Sequence, residues 1–381
     1  MTNSRKKVIM ILENTLDRDT RATKIIRALV SNGYKVDFLG WNRGHISSRS
    51  EKREAGSYNK ETLFNYRAPA GYKILLYLPI WWVFVFKHLM TEEFDIVHAI
   101  HILSIPPALI AGFFKGKPVI YDILDTYEDS ILMPKIVRNI IVIIDKIFMR
   151  LSSSVILADK NQIIEVGGIP NKNLLVIYDS PDTLTNINKK YIKNDAFTLF
   201  FAGSLNTSKA LNLDKVISAI KDIKDIKLIF AGYGDLVDEV LRCSKEMPDK
   251  ISFIGEINRS EVLERSLCAD LLFVLRDPII PVNKYICGSK ILEAMWCGKP
   301  ILVNKGTSTA DIVIEENCGL VIDAKDVKQI ENAIIKLKDD PILCSKLGKN
   351  AADSYQNKYS WDIMKKRLLD HYYILCNTFI L

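Results

Sequence analysis

The strongest constraint in this chain is an alternation that occurs twice. Short runs rich in β-branched and aromatic residues trade places with longer stretches of helical periodicity, on both sides of a polar break. In the first half, KVIMIL (7–12), KVDFLGW (35–41), FDIVHAI (94–100), KPVIYDIL (117–124), SVILA (154–158) and LLVIYD (174–179) read as strands. TRATKIIRALVSNG (20–33) reads as an amphipathic helix. Ile25, Ile26, Leu29 and Val30 share one face, and Gly33 ends it. In the second half the strands are FTLFFAG (197–203), IKLIFAG (226–232), ISFIG (251–255), LLFVL (271–275), PILVN (300–304) and GLVID (319–323). Strands this uniformly apolar are buried on both faces, the condition of a parallel sheet with helices on each side. The expected class is α/β, doubly wound, with two Rossmann-like domains.

A length of 381 residues suits two domains better than one. The stretch DSPDTLTNINKKYIKND (179–195) has turn residues and no periodicity, so it reads as the connection between them. The expected division is an N-terminal domain over 1–180, a linker over 181–195 and a C-terminal domain over 196–360. The terminal segment, SWDIMKKRLLDHYYIL from Ser360, reads as a Ser-capped helix, and residues 361–381 are expected to pack back on the first domain. Open α/β sheets bind ligands outside the carboxyl ends of their strands. Two such sheets facing a central cleft let one domain hold a donor and the other an acceptor.

The net charge of +7 suits an anionic partner such as a nucleotide phosphate or a lipid headgroup, and equally an ordinary basic surface. No recognition motif supports nucleic acid. The seven cysteines include no C-x-x-C pair, which argues against a disulfide framework or a zinc site and fits a reducing cytosol. The N-terminal apolar run is too short for a signal segment. The longest apolar stretch, ILLYLPIWWVFVF (74–86), is interrupted by Pro79 and is too short to span a bilayer as one helix.

Two local motifs carry chemistry. In FFAGSLNTSKAL (200–211), Gly203 allows a tight turn at a strand end, and Lys209 lies near the start of the next helix, where backbone N–H groups favour anions. Lys209 then serves a diphosphate or is an exposed lysine. FAGYGDL (230–236) supplies a second glycine turn at Gly232 but lacks the third glycine of a dinucleotide fingerprint. In GSKILEAMWCGKP (288–300), Gly288 precedes a helix, and the amides of Ser289 and Lys290 face whatever occupies its N-terminus. Glu293 sits one turn further in, among apolar neighbours. It binds ribose hydroxyls beyond a diphosphate, or it is a surface glutamate.

The stretch GSKILEAMWCGKPILVNKGTSTADIVIEENCGLVID (288–323) resembles the nucleotide-sugar signature of retaining GT-B glycosyltransferases of family 4 type, the glycosyl transferases group 1. RDTRATKIIRALVSNGYKV (18–36), FDIVHAI, VIYDILD (119–125), LIFAGYGDL, ISFIGEINRSEV and the terminal SWDIM fit in the same order, so the resemblance runs along essentially the whole chain. It implies that Glu293 binds the ribose, Lys209 the diphosphate, the amides of Gly288, Ser289 and Lys290 the phosphates, and Ile254 and Gly255 the base. Gly203, Ser204 and Gly232 complete the implied nucleotide site. Tyr285 stands where the family has the first glutamate of its E-x7-E motif, Ser204 where an arginine partners the lysine, and Leu124 where a histidine is common.

The resemblance also implies transfer of a sugar from a nucleotide-diphosphate donor with retention of configuration. Lys209 and Lys290 would neutralise the leaving diphosphate, with no metal and no other cofactor. Asp122 and Asp125 either orient sugar hydroxyls or cap loops, and His98 and His101 are either catalytic or structural. Arg21, His98, Asp122 and Tyr285 are the candidates for donor-sugar or acceptor contacts, and Asp125 joins the two lysines as a catalytic candidate. YKILLYLPIWWVFVFKHLM (72–90) and PKIVRNIIVIIDKIFMRL (134–151) mix apolar residues with Lys and Arg, as interfacial helices do, or are core helices. The expectation is a lipid-linked or glycan acceptor used in cell-surface polysaccharide or glycoconjugate synthesis. It places the protein in the cytoplasm, in peripheral contact with the anionic inner face of the cytoplasmic membrane. A sugar-nucleotide epimerase or an inactive nucleotide-sugar-binding homologue is the alternative.

Overall fold

A computed structural model describes residues 5–16, 19–44, 58–69, 71–126, 134–169, 171–182 and 195–378. Most of the polar connection, 183–194, lies outside these. The chain divides into two compact units, Met1–Tyr178 with Met364–Leu381, and Asp179–Ile363. Both are α/β with wholly parallel sheets.

The first unit carries seven strands: β1 (Lys7–Leu12), β2 (Lys35–Asn42), β3 (Lys60–Asn65), β4 (Ile96–Ile100), β5 (Val119–Ile123), β6 (Ser154–Leu157) and β7 (Leu174–Val176). Their order is β3-β2-β1-β4-β5-β6-β7. The chain works outward from β1 in one direction and then in the other, so the order reverses between β1 and β4. The inner strands are buried on both faces, as their unbroken apolar runs require. β3 is an addition to the sequence reading. It lies at the sheet edge, is half-exposed along its length, and reads KETLFN, a pattern without an apolar run.

The helix Leu78–Thr91 corrects one expectation. Pro79 stands in its first turn, where a missing N–H costs nothing, so it starts the helix and does not break it. With the preceding 3₁₀ turn, the run Lys73–Thr91 is long and apolar enough by composition to cross a membrane. It nevertheless gives one face to the core of its own unit: Leu78, Trp81, Val85 and Leu89 are buried, and Trp81 stacks on Trp41 with ring centroids 5.4 Å apart. The helix Trp361–Thr378 ends in the same unit, where Met364, Leu368, Tyr372 and Leu375 are buried at helical spacing.

The second unit has β8 (Phe197–Ser204), β9 (Ile226–Tyr233), β10 (Ile251–Phe253), β11 (Leu271–Val274), β12 (Ile301–Asn304) and β13 (Gly319–Ile322). They lie in the order β10-β9-β8-β11-β12-β13, with the reversal between β8 and β11. Leu199, Phe201, Leu228, Phe230, Phe273 and Leu302 form the centre of its core, closed by the helices Leu213–Ile220 and Val327–Asp339.

Candidate functional site

At a strand-order reversal two neighbouring connections leave in opposite directions, and a crevice opens at the carboxyl edge. In the second unit that position lies after β8 and β11. β8 ends in Gly203-Ser204, and β11 is followed by Leu275 and Arg276. The two connections are tied together: Asp277 N donates to Ala210 O (2.9 Å), Asn212 Nδ2 to Leu275 O (2.6 Å) and Asn283 Nδ2 to Lys209 O (3.3 Å). Lys209 occupies a 3₁₀ turn, Thr207–Lys209, and the next helix begins only at Leu213. Asp235 fixes that turn by accepting from Thr207 N (2.8 Å) and Thr207 Oγ1 (2.7 Å).

The helix Ser289–Cys297 begins at the same edge, with Gly288 as its extended N-cap. Lys290 folds back so that its Nζ lies 2.5 Å from where a β-carbon on Gly203 would stand. The Arg276 guanidinium lies flat over Gly288, with Nη1, Cζ and Nη2 at 3.3, 3.4 and 3.5 Å from the corresponding position there. Burial, only partly offset by Glu293 and reinforced by Arg276, Lys209 and Arg259, pushes the Lys290 ammonium down to about 8. Lys290, Arg276, Lys209 and Arg259 thus act together on one place beside the Glu293 carboxylate. Like charges packed this way are unfavourable on their own and suit a multiply charged anion.

Glu293 lies one helical turn beyond Lys290 and is 9% exposed. Arg259 Nη2 is 3.7 Å from its Oε1, too long for a hydrogen bond, so the two are held by charge and Arg259 leaves that oxygen's lone pairs unoccupied. Phe200, Phe201, Val262 and Ser266 join Lys290 and Glu293 around one small cavity. The remaining glycines have structural work. Gly232, at φ 135°, faces Gly203 O, which would lie 1.8 Å from an added β-carbon, and its N–H donates to Gly255 O (2.8 Å). Ile254 N donates to Phe230 O (3.0 Å). Ser204 Oγ accepts from Asn206 Nδ2 (2.5 Å). Tyr285 ends the short helix Pro281–Tyr285 under the Lys284 ammonium, 5.0 Å from its ring centroid. Gly203, Gly232, Gly255, Gly288 and Lys290 are therefore brought to one edge. Arg259 and Arg276 complete the cluster; Arg259 lies within ISFIGEINRSEV without having been singled out there, and Arg276 lies in no quoted motif of the sequence. Arg276 is visible there only as the first charge after LLFVL.

In the first unit, Arg21, His98 and Asp122 meet in the interior, at 2%, 0% and 0% exposure. Arg21 Nη2 and Nε donate to Asp122 Oδ1 (2.9 Å) and Oδ2 (3.2 Å), and Nη1 donates to Ile177 O (2.7 Å). His98 lies between Asp122 Oδ2 (3.2 Å) and Tyr372 Oη (2.5 Å). Burial raises the Asp122 carboxyl, but Arg21 and His98 outweigh it and hold the group well below the usual carboxylate range. This is a brace joining β4, β5, the helix Thr20–Ser31 and the C-terminal helix. At the reversal of this sheet, Glu13 after β1 pairs with His101 after β4 (Oε1 to Nδ1, 2.8 Å), and Ser104 Oγ donates to Glu13 Oε2 (3.2 Å). His101 has a left-handed backbone, φ 61°, unusual for a residue with a side chain. Burial opposes its charge, but Glu13, with Asp19 and Asp125, raises it to about 9. Asp125 is half-buried beside this pair.

Residues 182–354 match the family described as glycosyl transferases group 1. An uncharacterized glycosyltransferase of Methanocaldococcus jannaschii is 26% identical over 186 residues, 48% of this chain and 46% of that relative, so the match spans about half of the relative's length. Sucrose-phosphate synthase of Thermosynechococcus elongatus superposes with a TM-score of 0.75 at 15% identity, covering 98% of this chain and 100% of the other. HepE of Anabaena, solved in complex with UDP, superposes with a TM-score of 0.72 at 15% identity, covering 97% and 100%. These two likenesses are of fold, and the fold is GT-B.

Proposed function

From the premise that residues 182–354 carry a glycosyl transferases group 1 domain, we propose that the protein transfers a sugar from a nucleotide-diphosphate donor to an acceptor hydroxyl with retention of configuration. The observation that carries this is the cation cluster around Lys290 at the strand-order reversal of that domain. Departure of a nucleoside diphosphate from an anomeric carbon builds negative charge on the leaving phosphates. Cations fixed beforehand stabilise it without reorganising. Lys209 and Lys290 take this role, and the scheme needs no metal. Glu293 accepts from the ribose hydroxyls, the backbone at Ile254 and Gly255 meets the base, and Asp125 orients the acceptor.

The acceptor is proposed to be lipid-linked, and the protein peripheral to the inner, anionic face of the cytoplasmic membrane. The helix Lys135–Leu151 supports this. It buries Ile141, Asp145 and Met149 but turns Ile136, Ile140, Ile143, Ile147 and Leu151 outward. Phe113 and Phe114 of the helix Ile105–Lys115 are 84% and 66% exposed, and Lys87 and Arg150 are exposed cations on neighbouring helices. Outward apolar stripes with basic residues suit an anionic lipid interface.

The test is a thermal-shift panel of uridine, guanosine and adenosine diphosphate sugars, then a transfer assay with the strongest binder. Lys209→Ala and Glu293→Ala are expected to lose transfer, and near-normal transfer in both rejects the assignment. Epimerised sugar released without acceptor points instead to an epimerase. Sedimentation with vesicles containing anionic lipid at low salt is expected, and Phe113→Ser/Phe114→Ser weakens it.

A further inference from the structure

We propose that Arg276 supplies the guanidinium of the diphosphate site, in place of the arginine that the family resemblance leads one to expect at Ser204. This rests on the nucleotide-diphosphate reading above. Ser204 cannot fill the role: its side chain is a short hydroxyl already engaged by Asn206 Nδ2 at 2.5 Å. Arg276 reaches the same edge from the other strand of the reversal. β8 and β11 are hydrogen-bonded neighbours, and Ser204 and Arg276 both lie at their carboxyl ends.

The position of Arg276 is built. Asn304 Nδ2 donates to its carbonyl (2.9 Å), and Asn304 is itself 3% exposed. The guanidinium plane lies on Gly288 with three of its atoms within 3.5 Å of the missing β-carbon, so a side chain there would crowd it. Its sequence neighbour Asp277 is turned elsewhere, to Ile279 N (2.9 Å) and Lys325 Nζ (3.3 Å). Arg276 therefore lies over Gly288 and Lys290 over Gly203, and the Arg276 charge acts on the Lys290 ammonium. A planar fork of donors next to a point charge matches two linked phosphates: the fork grips one bidentately and the ammonium neutralises the other.

The test is calorimetric titration of the full chain with UDP, GDP and ADP and the corresponding monophosphates. The proteins are wild type, Arg276→Ala, Arg276→Lys and Lys290→Ala. For the best-binding base, Arg276→Ala is expected to weaken the diphosphate by about 10- to 100-fold and the monophosphate far less. Arg276→Lys recovers only part, because an ammonium lacks the fork. Unliganded melting temperatures check that each variant is folded. If Arg276→Ala does not fold, Arg276→Lys decides alone: wild-type diphosphate affinity overturns the proposal. Wild-type affinity in folded Arg276→Ala, with loss in Lys290→Ala, also overturns it and leaves the diphosphate reading standing. If wild-type protein binds none of the three diphosphates, the reading fails and this assignment falls with it.

Discussion

Lys290 Nζ rests against the backbone of Gly203, 2.5 Å from where a β-carbon would stand, and Gly203 holds φ at 143°. A cation from one helix thus occupies the space that glycine leaves at the end of another element. Gly203→Ala displaces the ammonium and strains the backbone, by about 1–3 kcal/mol. Gly33→Ala is the control: its φ is 87°, and nothing lies within 4 Å of an added β-carbon. Both variants are expected to melt lower than wild type. Only Gly203→Ala is expected to lose nucleotide affinity by titration, and equal affinity in the two removes the functional meaning of the contact.

The Lys290 shift makes a signed pH prediction. Its folded value, about 8, lies below the ordinary 10.5. The cost of carrying its charge is fully present below pH 8 and is relieved as pH rises toward 10.5. Lys290→Met is therefore expected to raise the unliganded melting temperature at pH 7. A bound diphosphate restores the charged form, so binding takes up protons near pH 8–9 and weakens as pH rises. Titrations in buffers of different ionisation enthalpy measure this, and no proton uptake at pH 8.5 counts against it.

The Arg21–Asp122–His98–Tyr372 brace predicts a stability defect separate from nucleotide binding. Asp122→Asn leaves the Arg21 charge without its carboxylate in the interior, at a cost of about 3–5 kcal/mol. Tyr372→Phe removes one hydrogen bond to His98, at a cost of about 1 kcal/mol. Chemical denaturation gives both values. The Asp122 contribution is present above the ordinary carboxylate range and is lost as pH falls through its lowered folded value. A fully stable Asp122→Asn protein would show that the brace carries no weight.

The Glu13–His101 pair predicts the opposite pH direction. His101 is raised from 6.5 to about 9, so its stabilisation is complete below pH 6.5 and disappears as pH rises through 9. Thermal melts from pH 6 to 10 are expected to fall in wild type by more than in His101→Gln. Parallel curves would refute the ion pair.

Much of the fold was legible because its signals are local. An apolar run buried on both faces looks the same wherever the strand lies in the sheet, so β1, β2, β4 and β8 stood out. β3 did not, because none of its residues is fully buried at the sheet edge and such a strand needs no apolar run. Pro79 looked like a break because its effect depends on whether it falls inside a helix or in its first turn. Arg21, His98 and Asp122 fell within segments that suggested a ligand site; in the structure Arg21 and His98 both meet Asp122, 101 and 24 residues away in sequence, and His98 also meets Tyr372.

By itself the sequence determined the alternation, the parallel sheets, the two-unit plan, and the glycines and lysines of the two strand-end motifs. Each of these is a property of neighbouring residues. Tertiary structure alone decided which cations share one place. Lys209 follows β8, Arg276 and Lys290 follow β11, the two strands of the reversal, and Arg259 comes from the helix after β10, so four separate segments bring their charges to bear on one place. It also decided that the apolar stripe of Lys135–Leu151 faces outward. Periodicity gives a helix two faces, but only packing chooses which of them meets the core.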